Sequence, residues 1–292
     1  MSLDAPLSNP SEADLGNAVQ ENLYALFKAM AHGLSDAELV ERAGLSYHHS
    51  FPTNPMFKGV WRTKLSPDQV NSAIDETITW FVTHNAPFFF WWTGVGTAPD
   101  NLGERLQARG LLDMAEQQIA LAPGIKQTEL GAPCMAADLH RIDETTLTAV
   151  PAGFRIVEVV TEAALLDFKR VFLESYEIPD WAGQAWVDAT QAIGIGKTSW
   201  RMFVGYLDNE PVATNMLFNG AGVASLYAVG VVPAARGKGI GGAITLKPLL
   251  EARDLGYRHA VLFSTEMAQS VYERIGFRLT GTRINRYLWR NK

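Results

Sequence analysis

The strongest chemical signal in the chain lies in residues 229–245, VGVVPAARGKGIGGAIT, where an apolar run enters a glycine-rich turn and then a helical pattern. Glycines at 237, 239, 241 and 242 let the backbone approach a ligand without Cβ clashes. Amides at a helix start lack intrahelical acceptors and carry partial positive charge, so they hold anions. Arg236 and Lys238 add formal charge, one as a planar fork and the other as a mobile point charge. The ligand this predicts is a pyrophosphate, because a bare tight turn needs neither four glycines nor two cations.

Several loop types share parts of this pattern. Gly237, Gly239 and Gly242 fit the GxGxxG of dinucleotide-binding folds, and Glu266 stands where a ribose-binding acid would be. In those folds the first glycine follows its strand almost at once, whereas here Pro233-Ala234-Ala235-Arg236 intervene. The dinucleotide reading is kept as an alternative. A Walker loop is discarded: Gly196-Lys197-Thr198 has the right end, but Gln191 occupies the position of its first glycine.

Arg236, Gly239 and Gly241 follow Val231-Val232-Pro233, and Tyr272-Glu273-Arg274-Ile275-Gly276-Phe277 lies about 35 residues further on. In these two motifs the chain resembles the GCN5-related N-acetyltransferase superfamily. Its phosphate loop reads Arg/Gln-x-x-Gly-x-Gly/Ala after a strand ending in Val-x-Pro, and a later helix reads Tyr-x-x-x-Gly-Phe. The resemblance covers about residues 153–292. It implies acetyl-CoA as co-substrate, with the pyrophosphate on the amides of Gly237, Lys238, Gly239, Ile240 and Gly241. The pantetheine would pair with the open edge of the strand around Val229 and Val231, as an added strand does.

The resemblance also implies direct attack by an amine in a ternary complex, with Tyr272 protonating the departing thiolate. Thr265 stands where many members carry a cofactor-contacting asparagine, seven residues before the tyrosine. The general base is open among Glu174, Glu177, Asp180, Glu266 and a water-mediated route. The function implied is an N-acetyltransferase for a primary amine, either a small molecule or a peptide amino terminus. The alternative is a non-catalytic acyl-CoA-binding or sensor protein.

The elements needed to position these residues are those of a mixed α/β chain. In the second half the spacing predicts a strand at 154–160, a helix from the Thr161 cap and another after Pro179. Strands at 202–206, 212–218 and 225–232 follow, with turns at Asp208-Asn209 and Asn219-Gly220. A helix at 237–255 contains Pro248, and a strand at 260–263, a helix at 267–275 and a strand at 279–288 complete the half. This order matches an acyl-CoA N-acyltransferase fold.

The first half reads as a helix at 11–31, then a helix from Ser35 to near Gly44 opened by a Ser35/Glu38 capping box. A helix opened by Ser66-Pro67 runs to Asn85-Ala86-Pro87 and leads into a strand at 88–92. A short helix at 101–110, a strand at 114–121, a turn at Pro123-Gly124 and loops over 130–153 follow. The run 89–92 parallels the cofactor strand and Arg109-Gly110-Leu111 the Ile-Gly-Phe joint. Residues 1–150 are therefore expected to be a degenerate domain of the same kind, or a helical accessory domain, and residues 151–292 the catalytic domain.

Composition narrows the remaining classes. The 292 residues carry 25 Lys plus Arg against 31 Asp plus Glu, a formal charge of −6 without basic runs, so nucleic acid is not an expected partner. Cys134 is the single cysteine, and the amino terminus has neither the basic start nor the apolar core of a signal peptide, which suits a reducing cytoplasm. APFFFWW, residues 86–92, is too short for a membrane span. His48-His49 has no third ligand at useful spacing, so it reads as a solvated loop pair and no metal is expected. Trp91 and Trp92 read as core.

Overall fold

The computed structural model describes residues 4–34, 36–50, 58–117, 119, 131–147, 149–197 and 199–291. Helix α1 (Glu12–Gly33) starts at Ser11, whose hydroxyl accepts from the Asp14 amide while Asp14 accepts from the Ser11 amide, a reciprocal cap. Strands β1 (Glu38–Arg42), β2 (Leu45–His49) and β3 (Lys58–Thr63) form a meander. Helix α2 (Val70–Thr83), β4 (Phe88–Thr93), α3 (Leu102–Gln107), β5 (Leu112–Asp113) and β6 (Ala132–Asp138) follow. Then come β7 (Phe154–Glu158), α4 (Glu162–Tyr176), α5 (Asp180–Ile193), β8 (Trp200–Leu207), β9 (Glu210–Gly220) and β10 (Val223–Val231). Helix α6 (Ile240–Asp254), β11 (His259–Phe263), α7 (Glu266–Ile275) and β12 (Arg278–Arg290) close the chain.

The strands form one sheet in the order β1-β2-β3-β4-β12-β6-β11-β10-β9-β8-β7, with β5 also on β12. Each half repeats one plan: an antiparallel meander ends in a strand that is joined through a helix to a parallel neighbour. The parallel pairs are β3 with β4 and β10 with β11. The halves interlock, because β6 lies between β11 and the first part of β12, and the last part of β12 lies between β4 and β5. The division expected near residue 150 falls in the connection between β6 and β7, and the sheet runs across it.

Helices α1, α4 and α5 cover one face of the sheet, where Phe27, Phe168, Trp186 and Trp200 are buried. Helices α6 and α7 cover the opposite face beside α2 and α3. Asn22 of α1 is fully buried and stitches the halves together. Its Nδ2 donates to the Gly220 carbonyl at 2.8 Å, and its Oδ1 accepts from the Tyr227 hydroxyl of β10 at 2.8 Å.

Several sequence expectations are corrected. The helix expected from Ser35 is the β1–β2 hairpin; Ser35 itself lies outside the described residues. Gly44 holds the turn at φ +77°, and Glu38, expected in a capping box, lies 2.9 Å from His84 Nε2 instead. The strand expected at 114–121 is a turn over 114–117, because Asp113 Oδ1 captures the amides of Ala115 and Glu116 at 2.9 and 3.1 Å. Residues 118 and 120–130, with Pro123-Gly124, lie outside the described residues. The loops expected over 130–153 contain β6, which is central in the sheet.

The turn expected at Asn219-Gly220 is at Ala221-Gly222, with φ of +53° and +72°, and Asn219 and Gly220 finish β9. The topological counterpart of the cofactor strand is β3, and the run 89–92 in β4 is the counterpart of β11. His48 and His49 are no solvated loop pair: they sit in β2, with His48 buried and its Nδ1 accepting from Trp61 Nε1 at 2.6 Å. Trp91 and Trp92 are buried in the core, as expected.

Candidate functional site

The site begins where two parallel strands part. β10 pairs with β11 at Ala224↔Ala260 and Ser225↔Val261, and no pairing follows toward the strand ends. A bulge sets the parting. The register with β9 jumps between Tyr227↔Met216 and Gly230↔Thr214, and Ala228 takes a left-handed φ of +50°. That conformation costs a non-glycine residue about 1–3 kcal/mol, so neighbours must hold it. The buried Thr214 hydroxyl does so by donating to the Ala228 carbonyl at 2.9 Å.

The edge of β10 beyond the bulge faces the gap between the strands. Val229's carbonyl accepts from the Tyr176 hydroxyl at 2.8 Å, and Val231's carbonyl from Arg236 Nε at 3.0 Å. Arg236 also donates through Nη2 to the Ser175 carbonyl at 3.0 Å, which ties the end of α4 to the strand. Gly230 allows this approach: a Cβ there would stand 2.7 Å from Ser175 Cβ. With both carbonyls taken, the edge offers mainly its N–H groups.

After β10, a short turn over Pro233–Ala235 leads into the glycine loop. Gly237 and Gly239 adopt φ of +74° and +79°, and Gly239 is the N-cap of α6 without any capping side chain. The first ladder bond of the helix runs from Ala243 N to Gly239 O at 3.2 Å, so the amides of Ile240, Gly241 and Gly242 have no intrahelical acceptor. A Cβ at Gly237 would meet nothing within 4 Å, whereas one at Gly239 would collide with the Ala149 carbonyl and one at Gly242 with Thr146 Cγ2. Gly241 is open except for Val231 Cγ2 at 3.8 Å from a Cβ there. Lys238 is exposed, with Nζ on the Ala234 carbonyl at 3.1 Å. Unfilled helix-start amides, the open faces of Gly237 and Gly241 and two cations fit a diphosphate.

Across the gap, Thr265 caps α7 at its amino end, and its carbonyl accepts from the Ser264 hydroxyl at 2.7 Å. Tyr272 lies on α7, buried at 7% exposure. Burial pushes its hydroxyl well above the ordinary tyrosine pKa. Burial does the same to Tyr176, and the neighbouring Tyr272 adds to that rise. Val229, Val231 and residues 236–241 thus succeed one another along the β10 side of the gap, Tyr272 stands beside Tyr176, whose hydroxyl bonds Val229, and Thr265 follows β11 on the far rim.

The expected bases are scattered around this opening. Asp180 pairs with Lys169 at 2.8 Å, and Glu174 lines a shallow groove with Leu166, Leu173 and Lys169. Glu177 is the left-handed C-cap of α4, and Glu266 opens α7. Among the described residues, no group of three or more His, Cys, Asp or Glu is arranged to hold a metal ion.

Sequence reasoning missed Tyr176, Thr214 and Asn215. Pro248 has no N–H, so the Ile244 carbonyl one turn earlier lacks its helical donor. The fully buried Asn215 of β9 supplies one, with Nδ2 at 2.8 Å from that carbonyl. Pro248 in the sequence signalled the need; nothing in the sequence named the donor.

Residues 198–279 match the family model described as Acetyltransferase (GNAT) domain. By sequence, this segment of the chain is a GNAT domain. The fold of the whole chain is similar to that of a GCN5-related N-acetyltransferase from Kribbella flavida, at TM-score 0.68 and 15% identity, covering 94% of this chain and 96% of that one. A tandem GNAT protein from the clavulanic acid biosynthesis pathway is similar at TM-score 0.57 and 15% identity, covering 99% and 98%. A functionally unknown conserved protein from Staphylococcus epidermidis is similar at TM-score 0.60 and 12% identity, covering 89% and 96%. At these identities the likeness is one of fold, and it places β10, α6, β11 and α7 in a GNAT arrangement. No curated protein matches the chain by sequence. No helix among the described residues is long and apolar enough to cross a membrane.

Proposed function

We propose that the chain is an acetyl-CoA-dependent N-acetyltransferase acting on a primary amine, a small molecule or a peptide amino terminus, with residues 151–292 carrying the reaction. The observation that supports this best is the unpaired edge of β10 opening beside the glycine-capped start of α6. Acetyl-CoA supplies the thioester carbonyl and a thiolate leaving group. The amides of residues 237–241, with Lys238 and Arg236, hold the diphosphate. The edge N–H groups face the acyl-pantetheine arm, that of Val229 at the thioester end and that of Val231 at the pantetheine, because the strand's own carbonyls there are already bonded. Thr265 lines the far rim. Tyr272 keeps its proton through burial and delivers it to the departing sulfur. No protein nucleophile is needed: the amine takes the acetyl group directly in a ternary complex, the C–S bond breaking as the C–N bond forms, and the proton the amine loses leaves through water, from which Tyr272 is reprotonated.

Calorimetric titration with acetyl-CoA, with NADPH as control, tests the ligand. One site for acetyl-CoA and none for NADPH is expected; NADPH binding in its place overturns the reading and restores the dinucleotide alternative. Lys238→Ala is the cleaner probe of the loop charge, because Arg236 also fastens α4. Removing Lys238 should weaken acetyl-CoA binding about tenfold, the scale of one charge-assisted contact. Acetyl transfer to members of an amine panel then separates an enzyme from an acyl-CoA sensor.

A further inference from the structure

We infer that Thr214 is a positioning residue for acyl transfer: its buried hydroxyl sets the Ala228–Val229 peptide so that the Val229 N–H is aimed into the gap where the thioester would lie. The inference deepens the acetyltransferase reading above and rests on it for its kinetic consequence.

Thr214 lies in the middle of β9, fully buried, and its Oγ1 donates to the Ala228 carbonyl at 2.9 Å. Peptide groups are planar and trans, so the carbonyl of residue 228 and the N–H of residue 229 point in opposite directions. With the carbonyl turned to Thr214 on the β9 side, the Val229 N–H turns away from β9. β11 makes no ladder bond on that side beyond Ser225↔Val261. The same hydrogen bond holds Ala228 at φ +50°, a region that alanine leaves when nothing retains it. A donor bonded on its carbonyl side is also polarised by that bond. Thr214 thus fixes the direction and raises the donor strength of the one edge amide adjoining the bulge. The Tyr176 hydroxyl on the next carbonyl, Val229 O, braces the following peptide from the α4 side.

Thr214→Val keeps the branched shape and removes the hydroxyl; Thr214→Ser keeps the hydroxyl and removes the methyl. For acetyl transfer to the best amine of the panel, Thr214→Val should lower kcat about tenfold or more while the calorimetric Kd for acetyl-CoA stays within about threefold, the pattern of a misdirected transition-state donor. Thr214→Ser should recover most of kcat. Equal losses in the two variants, an unchanged kcat in Thr214→Val, or a Kd that rises as far as kcat falls would each overturn the inference. A readout without ligand keeps it separate from the acetyltransferase reading: in the amide NMR spectrum, the Val229 resonance should shift in Thr214→Val and return in Thr214→Ser. An unmoved Val229 resonance refutes the positioning role even if the protein acetylates amines, whereas failure of the wild-type chain to bind acetyl-CoA refutes the functional reading and leaves the resonance test standing.

Discussion

Replacing Pro248 with alanine gives α6 a backbone N–H it now lacks, and the consequence depends on Asn215. In the native chain the Ile244 carbonyl has no donor at residue 248, and Asn215 Nδ2 fills the gap at 2.8 Å from a fully buried position. Truncating Asn215 to alanine leaves that carbonyl buried without a partner, which costs about 1–3 kcal/mol, in addition to the cavity left by the side chain. The same truncation also removes Asn215 Oδ1, a buried acceptor without a partner, and so recovers part of the loss. The single-variant value is therefore a mixture, and a double-mutant cycle separates it. In the Pro248→Ala background the new N–H reaches Ile244 O within the helix, so Asn215→Ala loses only the cavity and Oδ1 terms, which cancel in the cycle. The coupling energy should equal the cost of the bare carbonyl, about 1–3 kcal/mol, with Asn215→Ala less harmful beside Pro248→Ala than alone. Urea unfolding of the four proteins, compared by midpoint at constant m, measures it. Additivity within about 0.5 kcal/mol would refute the reasoning, because it would mean that Asn215 and Pro248 do not share a carbonyl.

The remaining predictions concern the glycine loop, an acid-side weakness and the tyrosine. Gly237→Ala and Gly239→Ala both force alanine to positive φ and should each cost about 1 kcal/mol, but the Gly239 variant must also displace the Ala149 carbonyl. Its melting temperature should fall at least twice as far as that of Gly237→Ala, and equal losses would remove the steric argument. His48 is buried and its pKa is lowered from 6.5 to about 3, first by burial and then by His49 and Lys58. The unfolded chain therefore binds a proton between those values that the folded chain refuses, and stability falls as the pH drops below 6.5. The loss reaches about 2 kcal/mol by pH 5. His48→Asn, which can still accept from Trp61, should flatten that slope by one proton in urea titrations at pH 4 to 6.5; an unchanged slope would clear His48. Tyr272→Phe should lower kcat more than it raises the acetyl-CoA Kd, and the wild-type profile should show no tyrosine ionisation below about pH 10, because burial raises that hydroxyl. An unaltered kcat would remove the acid role.

Most of the second half was legible because its elements obey one period each and are closed by local signals. Thr161 caps α4 by accepting the Ala164 amide at 3.2 Å, and Asp208 and Asn209 take the left-handed φ of a hairpin turn. The glycine loop was legible for the same local reason: positive φ and close approach are written into residue type. What stayed hidden depends on partners distant in sequence. β6, APCMAAD, has no β-branched residue and no alternation, and it is a strand because β11 and β12 bond it on both sides. The β1–β2 hairpin misled because a Ser-x-x-Glu spacing imitates a capping box, while the decisive features are Gly44 and pairing with β3. Tyr176 stands between two of the candidate bases, Glu174 and Glu177, yet its bond to Val229 spans 53 positions and leaves no trace in the spacing.

The interlocking of the halves bears on how the opening keeps its shape. The gap between β10 and β11 can persist only if each strand is secured on its outer side, since two free parallel strands would close and pair. β10 is secured by β9 on one side, and just before the bulge Tyr227 bonds Asn22 of α1. β11 is secured along its full length by β6, His259↔Asp138 through Phe263↔Cys134, and β6 is itself held by β12. β12 is fixed at its far end by six consecutive pairs with β4, from Asn285↔Thr93 to Arg290↔Phe88. Both walls of the gap are thus anchored in the first 150 residues, one through α1 and the other through β6 and β4. In this arrangement the first half holds the gap open while lacking a glycine cradle of its own. The loop after β3, its counterpart of β10, runs through residues 64–69 without a glycine, and the amides of Gln69 and Val70 are spent on the Ser66 carbonyl at 3.1 and 3.2 Å.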